Sequence, residues 1–518
     1  MPGSPLSDSE GVLRVSLKSN GQPVADSVAL ISVQVRHAVN SIPTARLVVA
    51  DGDMPTAAWP LADGALFAPG ESIAIFAGYG DAEQSIFEGH VARLGMRIGA
   101  ENYTRLVIDC KHKAAKMTAL RNNAHHADQT DSAIIAALVQ AHGLLAEVDT
   151  TTQTHAGLTQ YDCSDWDFLL ARAARNGLLV MADDDKLRVQ APRTEAEAVL
   201  KVGYGVDLIE FEADADADAD AVPQIRGRMK FQGSAAARVG ALIEVEGVGM
   251  RFGGKVFVSA VEHTLADGEW STVVEFGLPP EAKGRPGDVT TAPAEGLQVG
   301  VVTQLGGDPA GEQRIRVRLP LLQSPNDTVW ARVLQAQASN GFGAFFMPEV
   351  GDDVVVAYFD NDPSNPLVLG SLYSSRRPPP QALEGQNDIK AWVTRCGHRL
   401  EFDDKAQRIT LSTPANNRVV LSDESRSIVL QDQSGNQVEL HRGGVTIDTP
   451  GDLRLSAKGT ITLDAVGALK IGAGGDVRLA GLNVACEAQL SFSAKGAATA
   501  ELSAAGQTTV KGAMVMIN

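Results

Sequence analysis

Aromatic side chains are scarce in this sequence. They make up 5% of its 518 residues, although 44% of the residues are hydrophobic and glycine occurs 51 times. Aliphatic cores interrupted by many glycine turns are typical of β-rich folds and not of large helical bundles. Because the chain is too long for one ordinary domain, we expect three or four.

Paired cysteines and long apolar runs are missing. The four cysteines never form a C-x-x-C pair, so we expect free thiols, as in a protein made in the reducing bacterial cytoplasm. The N-terminal stretch has neither the basic nor the apolar region of a signal peptide, and no run of eighteen apolar residues could span a bilayer as a helix. Leaving the cell would therefore require a route other than Sec export.

Positive charge is also in short supply. The chain has 45 Lys and Arg against 63 Asp and Glu, which gives a net charge of −18. Nucleic-acid binding depends on Lys and Arg that displace the counterions of the phosphates, and no basic block compensates for the deficit. We therefore expect no nucleic-acid partner, and the acidity is explained by solubility.

The first 293 residues are predicted to form mainly strands, because apolar and polar residues alternate with period two. Two helices interrupt this pattern. One is capped near Thr130 and closed by Gly143, and the other begins at Ser164 or Asp165 and ends at Gly177.

Two polar stretches of this segment resemble ion sites but are interpreted otherwise. The acidic run 212–221 is predicted to be a solvated loop, because Asp is rare in strands and no glycine-containing loop could wrap a calcium ion. His125 and His126, near Asp128 and Asp131, lack metal-ligand spacing and are also assigned to a loop.

Residues 294–375 contain about five short strands bounded by turn residues, which predicts a small closed barrel of the OB (oligonucleotide/oligosaccharide-binding) type. A proline-rich linker, 376–395, follows it. OB barrels can bind nucleic acid, but the net charge disfavours that function, and a fold does not fix a function.

Residues 443–482 repeat every eight residues. Glycine opens each octad, and apolar residues occupy its third and fifth positions around a polar fourth residue. Each octad therefore predicts a short strand followed by a corner where glycine eases the turn. The octads open with Gly443, Gly451, Gly459, Gly467 and Gly475, and the apolar pairs, predicted to form the core of a β-helix, are Val445/Ile447, Leu453/Leu455, Ile461/Leu463, Leu469/Ile471 and Val477/Leu479.

A repeat of fixed period predicts a solenoid-like stack. Two inward residues per step make only a thin core, which a three-faced coil of one chain or three intertwined chains could fill. Glycine corners and polar outer positions count against an amyloid-like stack. Looser strands begin near residue 396, and after Leu482 the frame slips while Leu490/Phe492 and Leu502/Val510 continue it.

This order of parts resembles the VgrG-type spike of contractile injection systems, a phage baseplate hub fused to its central spike. It is most similar to the compact versions of extracellular, phage-tail-like particles. The resemblance lies in WARV (330–333), Gly343, MPEVGDDV (347–354) and NDPSNPLVLGSLY (361–373) for the OB domain, in GHRLEFDD (397–404) for the entry into the β-helix, and in FEG (87–89) and DWDFL (165–169) for the hub.

The resemblance implies a mainly β fold with a minor α component. It consists of hub β-barrels with helices (1–293), an OB-fold barrel, and a C-terminal triple-stranded β-helix (396–518) in a homotrimer. The hub would adapt a sixfold tail tube to a threefold spike with two similar barrels per chain. Implied partners are the inner tube, baseplate proteins, a PAAR-type tip protein docked on Met514, Val515, Met516, Ile517 and Asn518, and, as a further option, cargo effectors.

We expect no catalytic residues, cofactor or metal. Too few residues separate the barrel from the β-helix for a lysozyme domain, and no catalytic domain is expected after Asn518. The adjacent Asp403 and Asp404 are predicted to lie in a turn. The particle would be released or membrane-associated, and its needle would pierce the target membrane without binding it stably.

A receptor- or polysaccharide-binding tailspike, which can carry hydrolase activity, is the alternative. That function predicts aromatic sugar platforms and a carboxylate-lined groove. The sequence has neither Trp nor Tyr after Trp392.

Overall fold

The computed structural model describes residues 3–6, 11–100, 104–216, 224–278, 294–320, 322 and 328–517. The chain divides into two compact units, Met1–Pro380 and Gln381–Asn518. The predicted domain boundary at residue 293 and the predicted docking residue Asn518 lie outside the described residues.

The first part of the first unit contains helices α1 (Asp131–Ala141) and α2 (Asp165–Arg175) and a 3-10 turn at Lys113–Thr118. Its strands are β1 (Leu13–Ser19), β2 (Gln22–Pro23), β3 (Leu30–Ala38), β4 (Thr44–Ala50), β5 (Ser72–Tyr79), β6 (Gln84–Ile98), β7 (Thr104–Lys111), β8 (Arg121–His126), β9 (Gln129–Thr130), β10 (Leu145–Val148), β11 (Thr154–His155), β12 (Leu158–Ser164), β13 (Leu179–Asp183), β14 (Lys186–Gln190), β15 (Leu200–Gly203), β16 (Leu208–Asp216), β17 (Gln224–Gln232), β18 (Leu242–Glu246), β19 (Gly254–Ala266) and β20 (Glu269–Phe276).

A 13-stranded sheet organises this region, and β19 pairs in it with three strands, β20, β3 and β18. Two separate aliphatic cores lie along it. One is built mainly from β1 and β3–β7, and the other from β15 and β17–β20. The long strands β19 and β20 serve both cores, because Leu265 and Trp270 pack into the first and Val258 and Val274 into the second.

The two helices form a third core together with the three-stranded sheet β10-β14-β13. Both helix predictions are confirmed. The Thr130 hydroxyl accepts a hydrogen bond from the Ala133 N–H (3.3 Å) at the start of α1, and the Ser164 hydroxyl accepts one from the Asp167 N–H (3.1 Å) at the start of α2. These side chains satisfy N–H groups that a helix start otherwise leaves unpaired.

Two loop predictions are wrong. Glu212–Asp216 lies in β16, an edge strand whose hydrogen bonds to β17 outweigh the low strand propensity of Asp. The remainder of the acidic run, 217–221, lies outside the described residues. His125 and His126 lie in β8, where pairing with Thr159 and Leu158 of β12 fixes an extended backbone.

The second part of the first unit is the closed barrel β21-β22-β23-β27-β26, which confirms the predicted five-stranded OB barrel. Ile315, Val317, Ala331, Val354 and Val368 point into its core. Its strands are β21 (Gln298–Gln304), β22 (Ile315–Arg318), β23 (Val329–Val333), the small hairpin β24 (Ala338–Ser339) and β25 (Phe342–Gly343), β26 (Asp353–Tyr358) and β27 (Pro366–Leu372), with a 3-10 turn at Phe359–Asn361.

The second unit begins with a seven-stranded antiparallel meander in chain order. Its first strand starts at Ile389, inside the range predicted as linker. The strands are β28 (Ile389–Val393), β29 (Arg399–Asp403), β30 (Arg408–Ser412), β31 (Arg418–Ser422), β32 (Ser427–Gln431), β33 (Gln437–His441) and β34 (Gly444–Asp448). From residue 449 to 517 the isolated chain forms no strand pairs, and its side chains are exposed except at Thr449.

Candidate assembly interface

One face of the meander carries an apolar ladder with two aliphatic or aromatic residues on almost every strand. The register places Leu400 opposite Leu411 and Phe402 opposite Ile409, and it continues strand by strand to Val445 and Ile447 on β34. The full set, which we call the apolar ladder, is Trp392, Leu400, Phe402, Ile409, Leu411, Val419, Leu421, Ile428, Leu430, Val438, Leu440, Val445 and Ile447.

Nothing covers much of this ladder in the isolated chain. Leu411 is 53% exposed, Leu430 54% and Val445 66%, whereas the polar Glu401 on the opposite face is less exposed than any of them. The opposite face is mostly polar, with Val420 and Val429 among its residues, so the more apolar face of this antiparallel sheet is the one left open to water, which reverses the usual arrangement. A large exposed apolar surface of this kind marks an interaction site.

The ladder continues directly into the octads. Val445 and Ile447 are at once the third and fifth residues of the first octad and the last members of the ladder. The predicted inward positions of the octads therefore start on the apolar face of a formed sheet.

Bends in the backbone mark every later octad. They fall at Gly451, Gly459, Gly467 and Gly475, and after one seven-residue step they resume the eight-residue spacing at Leu482, Leu490, Ala498, Gly506 and Met514. The slip foreseen after Leu482 is therefore a shift of one residue. None of the five opening glycines has a positive φ, so the bends do not depend on glycine's left-handed freedom, the reason first assigned to them.

The octad core predicted from the sequence is not formed by a single chain. Leu455, Ile471 and Leu479 at the fifth position are 65%, 69% and 72% exposed. The other predicted core residues are exposed as well: Val445, Ile447, Leu453, Ile461, Leu463, Leu469 and Val477. Two apolar side chains per step have no opposing face to pack against while the chain that carries them pairs with nothing.

The core assignment concerns a β-helix of three chains, and a single chain does not test it. A three-faced coil of one chain, which the sequence left open, would bury residues such as Leu455, Ile471 and Leu479 without any partner, and the isolated chain does not form that coil. Their burial between several chains remains a prediction.

Exposure still distinguishes the octad positions. Leu453 (57%), Ile461 (52%) and Val477 (57%) at the third position are partly covered, whereas Leu482 and Leu490 at bends are fully exposed (100% each). The third positions are thus better covered than the bends, even in one chain.

The one-residue shift identifies inward residues that the sequence pattern missed. In the shifted frame Phe492 is a third residue, as predicted, but Leu490 falls at a bend and not in the core. The third and fifth residues after the shift are Val484/Cys486, Phe492/Ala494, Ala500/Leu502, Thr508/Val510 and Met516 with Asn518. An alignment of residues 482–518 in two frames, one residue apart, could have assigned Cys486 to an inward position from the sequence alone.

The predicted docking residues Met514, Val515, Met516 and Ile517 form an exposed apolar run in the described chain. Met514 is 80% exposed and Ile517 91%. Their role in docking remains a prediction.

Charged residues of the meander are used within the sheet and its turns. The Asp403 carboxylate accepts hydrogen bonds from the Ala406 N–H (2.9 Å) and from Arg408 (3.3 Å), and Asp404 pairs with Lys390. In the β32–β33 turn, hydrogen bonds from Asn436 lower the pKa of Asp432. Asp403 is the last residue of β29 and only Asp404 lies in the turn, so the turn prediction is confirmed for Asp404 alone, although both acids stabilise that turn.

Within the described ranges no group of three or more His, Cys, Asp or Glu side chains could hold a metal ion. His125 lies 3.1 Å from the Thr159 hydroxyl, and His126 stacks on Phe168 with ring centroids 5.7 Å apart. Of the described helices, none is long and apolar enough to cross a membrane.

Three family models match the chain. The Alg8 N-terminal domain matches residues 9–224 and 219–267, which together span half of the chain. The type VI secretion system/phage-baseplate injector OB domain matches 298–373, and the phage baseplate V C-terminal trimerisation domain matches 408–485. The chain belongs to the family that the Alg8 N-terminal domain model describes, and its order of hub, OB barrel and trimerisation domain makes it a VgrG-type spike.

Curated relatives include type VI secretion system spike proteins of Pseudomonas aeruginosa. VgrG2a is 27% identical over 149 residues, which cover 26% of this chain and 17% of that protein. VgrG4b is 41% identical over 54 residues, 10% of this chain and 7% of that protein. The matches thus span less than a fifth of the length of these curated relatives.

A solved structure resembles much of the chain. The E. coli c3393 protein, described as a type VI secretion component with structural similarity to the T4 bacteriophage tail proteins gp27 and gp5, aligns with a TM-score of 0.52 at 14% identity. The alignment covers 69% of this chain and 99% of that one. At this identity the likeness establishes a shared fold.

Proposed function

We propose that this protein is the structural central spike and hub of a contractile injection machine. As a homotrimer it joins a tail tube and baseplate to a membrane-piercing needle. The strongest support is the apolar ladder, which continues into the octads and remains uncovered in one chain. Three chains that turn this face towards a common axis would fill the thin core and leave no open sheet edge.

A pair of neighbouring substitutions tests the inward face. Leu463→Asp places a carboxylate at an inward position, and three unpaired carboxylates in one layer cost several kcal/mol each. We expect the trimer mass to be lost in multi-angle light scattering while the OB barrel stays folded by circular dichroism. The matched control, Thr462→Asp, changes the adjacent outward residue of the same octad and should remain trimeric. A wild-type monomer, or a trimeric Leu463→Asp variant, would sink the model.

We further propose a non-enzymatic role and a separate tip protein of the PAAR-repeat type. The exposed apolar run Met514–Ile517 supports the docking of such a tip. Co-purification of a PAAR-type protein with the full chain should succeed and should fail for Ile517→Asp, which changes an exposed residue at an outward position. Equal recovery with both chains would remove this run from the interface.

The proposed location follows from the same role. The chain is made in the bacterial cytoplasm and assembled into a contractile particle, which is released or membrane-associated. Tube and baseplate proteins are its proposed structural partners, and cargo effectors are optional ones. Electron microscopy of purified particles with an antibody against the second unit should label the baseplate end of the tube.

A further inference from the structure

The outer face of the OB barrel has a charge opposite to that of the chain as a whole. Ile315, Val317, Val329 and Ala331 point into the barrel core, so the residues between them point outwards. The outward residues of β22 and β23, with the residue that precedes β22, form what we call the arginine face: Arg314, Arg316, Arg318, Trp330 and Arg332. Four arginines on one small face contrast with the net charge of −18.

Two of these arginines are already neutralised. Arg314 binds Asp308 through Nη2 at 2.7 Å and through Nε at 3.1 Å, and Arg332 binds Glu312 at 2.7 Å. The hydrogen bonds from Arg314 hold the pKa of Asp308 well below its ordinary value. These two ion pairs hold the Arg314 and Arg332 side chains, so an acidic ligand would have to bind the remaining two arginines of the face.

The other two arginines have no acidic partner among the described residues. The Arg316 guanidinium lies over the Trp330 ring, 5.8 Å from its centroid, and its Nε is buried without a hydrogen-bond acceptor. Arg318, two residues along the strand, is exposed. No described acid offsets the charges of Arg316 and Arg318, and a ligand carboxylate would supply the missing counter-charge.

A groove lies at one end of the arginine face. It has a volume of about 320 Å³ and is lined by Trp330 and Phe359 together with the paired Arg314, Arg332 and Glu312, whereas Arg316 and Arg318 lie outside it. In OB barrels the face of the second and third strands is a general binding surface. Here those strands are β22 and β23, so the arginine face occupies a position that the fold makes accessible.

We propose that the arginine face docks an extended acidic peptide segment of a partner protein. Alternate residues of an extended strand are about 7 Å apart on one side. Arg316 and Arg318 follow this spacing, so carboxylates two peptide positions apart would meet these two guanidinium groups in register. The planar guanidinium fork suits bidentate binding of each carboxylate.

A single-stranded oligonucleotide fits this face less well. Such ligands need successive aromatic platforms along the strand, whereas Arg316 already covers the one tryptophan of the face. A long polyphosphate would also be repelled by the acidic remainder of the chain, since each phosphate adds a charge. A short peptide with few carboxylates meets less of this repulsion.

The test measures binding of a fluorescent peptide of alternating Glu and Ala to the full chain by polarisation. The matched probe has Gln in place of every Glu, and a labelled oligothymidine is the third probe. We expect binding of the Glu peptide alone, weakening as salt rises from about 50 to about 200 mM. Binding of the Gln peptide at equal strength, binding of oligothymidine at equal strength, or no binding of the Glu peptide would each overturn the proposal.

Two variants assign the binding to this face. Arg318→Gln changes an exposed side chain, and adding Arg316→Gln removes both unpaired guanidinium groups. The double variant should bind the Glu peptide about tenfold more weakly, the loss expected for two charge-assisted contacts at a partly exposed site. The control, Arg93→Gln combined with Arg97→Gln, makes an equal charge change on two exposed residues of β6 and should bind as wild type. Unchanged affinity in the double variant, or an equal loss in the control, would remove the arginine face from the site. The outcome is independent of the trimer experiment.

Discussion

At the scale of single residues, buried histidines tie the stability of the first unit to pH. His263 is 3% exposed, accepts from or donates to the Thr272 hydroxyl at 3.0 Å and contacts Trp270. Burial lowers its pKa to about 3, and burial also lowers the pKa values of His37 and His112. The folded state therefore keeps these rings neutral at a pH where the unfolded chain binds protons.

We predict that the first unit loses stability as the pH falls from about 7 to about 5. Stability is full above the unfolded histidine pKa of about 6.5 and declines below it, because only the unfolded chain takes up the proton. His263 should contribute about 2 kcal/mol to this loss. Urea unfolding at both pH values should show a smaller loss for His263→Gln. His398→Gln, at an exposed position of the second unit, is the control, and equal pH dependence in both variants would contradict the assignment.

A buried ion pair joins the two helices. Asp131 is 2% exposed and accepts hydrogen bonds from Arg172 at 2.6 and 3.0 Å and from Asn176 at 2.8 Å. Burial raises the pKa of Asp131, but these hydrogen bonds and the charge of Arg172 outweigh it, so the pKa is lowered. The carboxylate is thus held ionised inside the helical core.

Asp131→Ala should destabilise the first unit by about 3 to 5 kcal/mol, because it leaves the Arg172 guanidinium buried without its counter-charge. Thermal unfolding followed by circular dichroism measures the loss. Glu147→Ala breaks the exposed pair with Lys186 (2.8 Å) and should leave the unfolding midpoint unchanged. A wild-type midpoint for Asp131→Ala would show that the pair adds nothing to stability.

At the scale of elements, periodicity was enough to predict the strands of the OB barrel, the meander and both helices. It failed at β16 and β8, where the partner strands β17 and β12 impose an extended backbone on residues with low strand propensity. β8 pairs with residues more than thirty positions further along the chain, which no local pattern records, whereas β16 pairs with the strand that follows it and the low strand propensity of Asp concealed it. The acidic side chains of β16 are also suited to an edge strand, because exposed charges discourage pairing with other chains.

The eight-residue spacing assigns the inward residues of the candidate interface only up to the point where that spacing is interrupted. Glycine openings marked the octads to Gly475, but the seven-residue step that follows has no sequence marker of its own. Leu490 therefore looked inward, although it falls at a bend. The arginine face was hidden for a different reason, because a net charge averages over the chain and cannot reveal a local excess of arginine.

The shifted frame can be tested by two neighbouring residues. Phe492 is inward only after the shift, and Ser493 would be inward only without it. Phe492→Asp should therefore abolish the trimer or lower its melting temperature sharply, since it removes apolar burial and adds an unpaired carboxylate in each chain. Ser493→Asp should assemble normally in light scattering and thermal melting. The opposite pattern would restore the unshifted frame.

At the scale of the whole molecule, three chains would have to bury what one chain leaves open, including Leu455, Ile471 and Leu479. From residue 449 to 517 a single chain has no strand pairs, so this segment, unlike the meander before it, has no hydrogen-bonded sheet of its own. Folding of this segment and association must then be one event, and its stability depends on protomer concentration.

The reactivity of the Cys486 thiol can show whether residues 449–517 have folded and associated. It is exposed in the isolated chain but occupies an inward fifth position after the shift, so assembly should bury it. A thiol reagent such as Ellman's should modify Cys486 at least about tenfold more slowly in the trimer than in Leu463→Asp chains, because protection follows the population of the open form. Cys396 is also exposed, and the hydrogen bond from Thr394 lowers its pKa, so it should react readily in both proteins. Variants that retain only one of these two thiols, by Cys→Ser at the other, separate their rates. Rapid modification of Cys486 in a confirmed trimer would place this residue outside the core and would require a different frame for the last five octads.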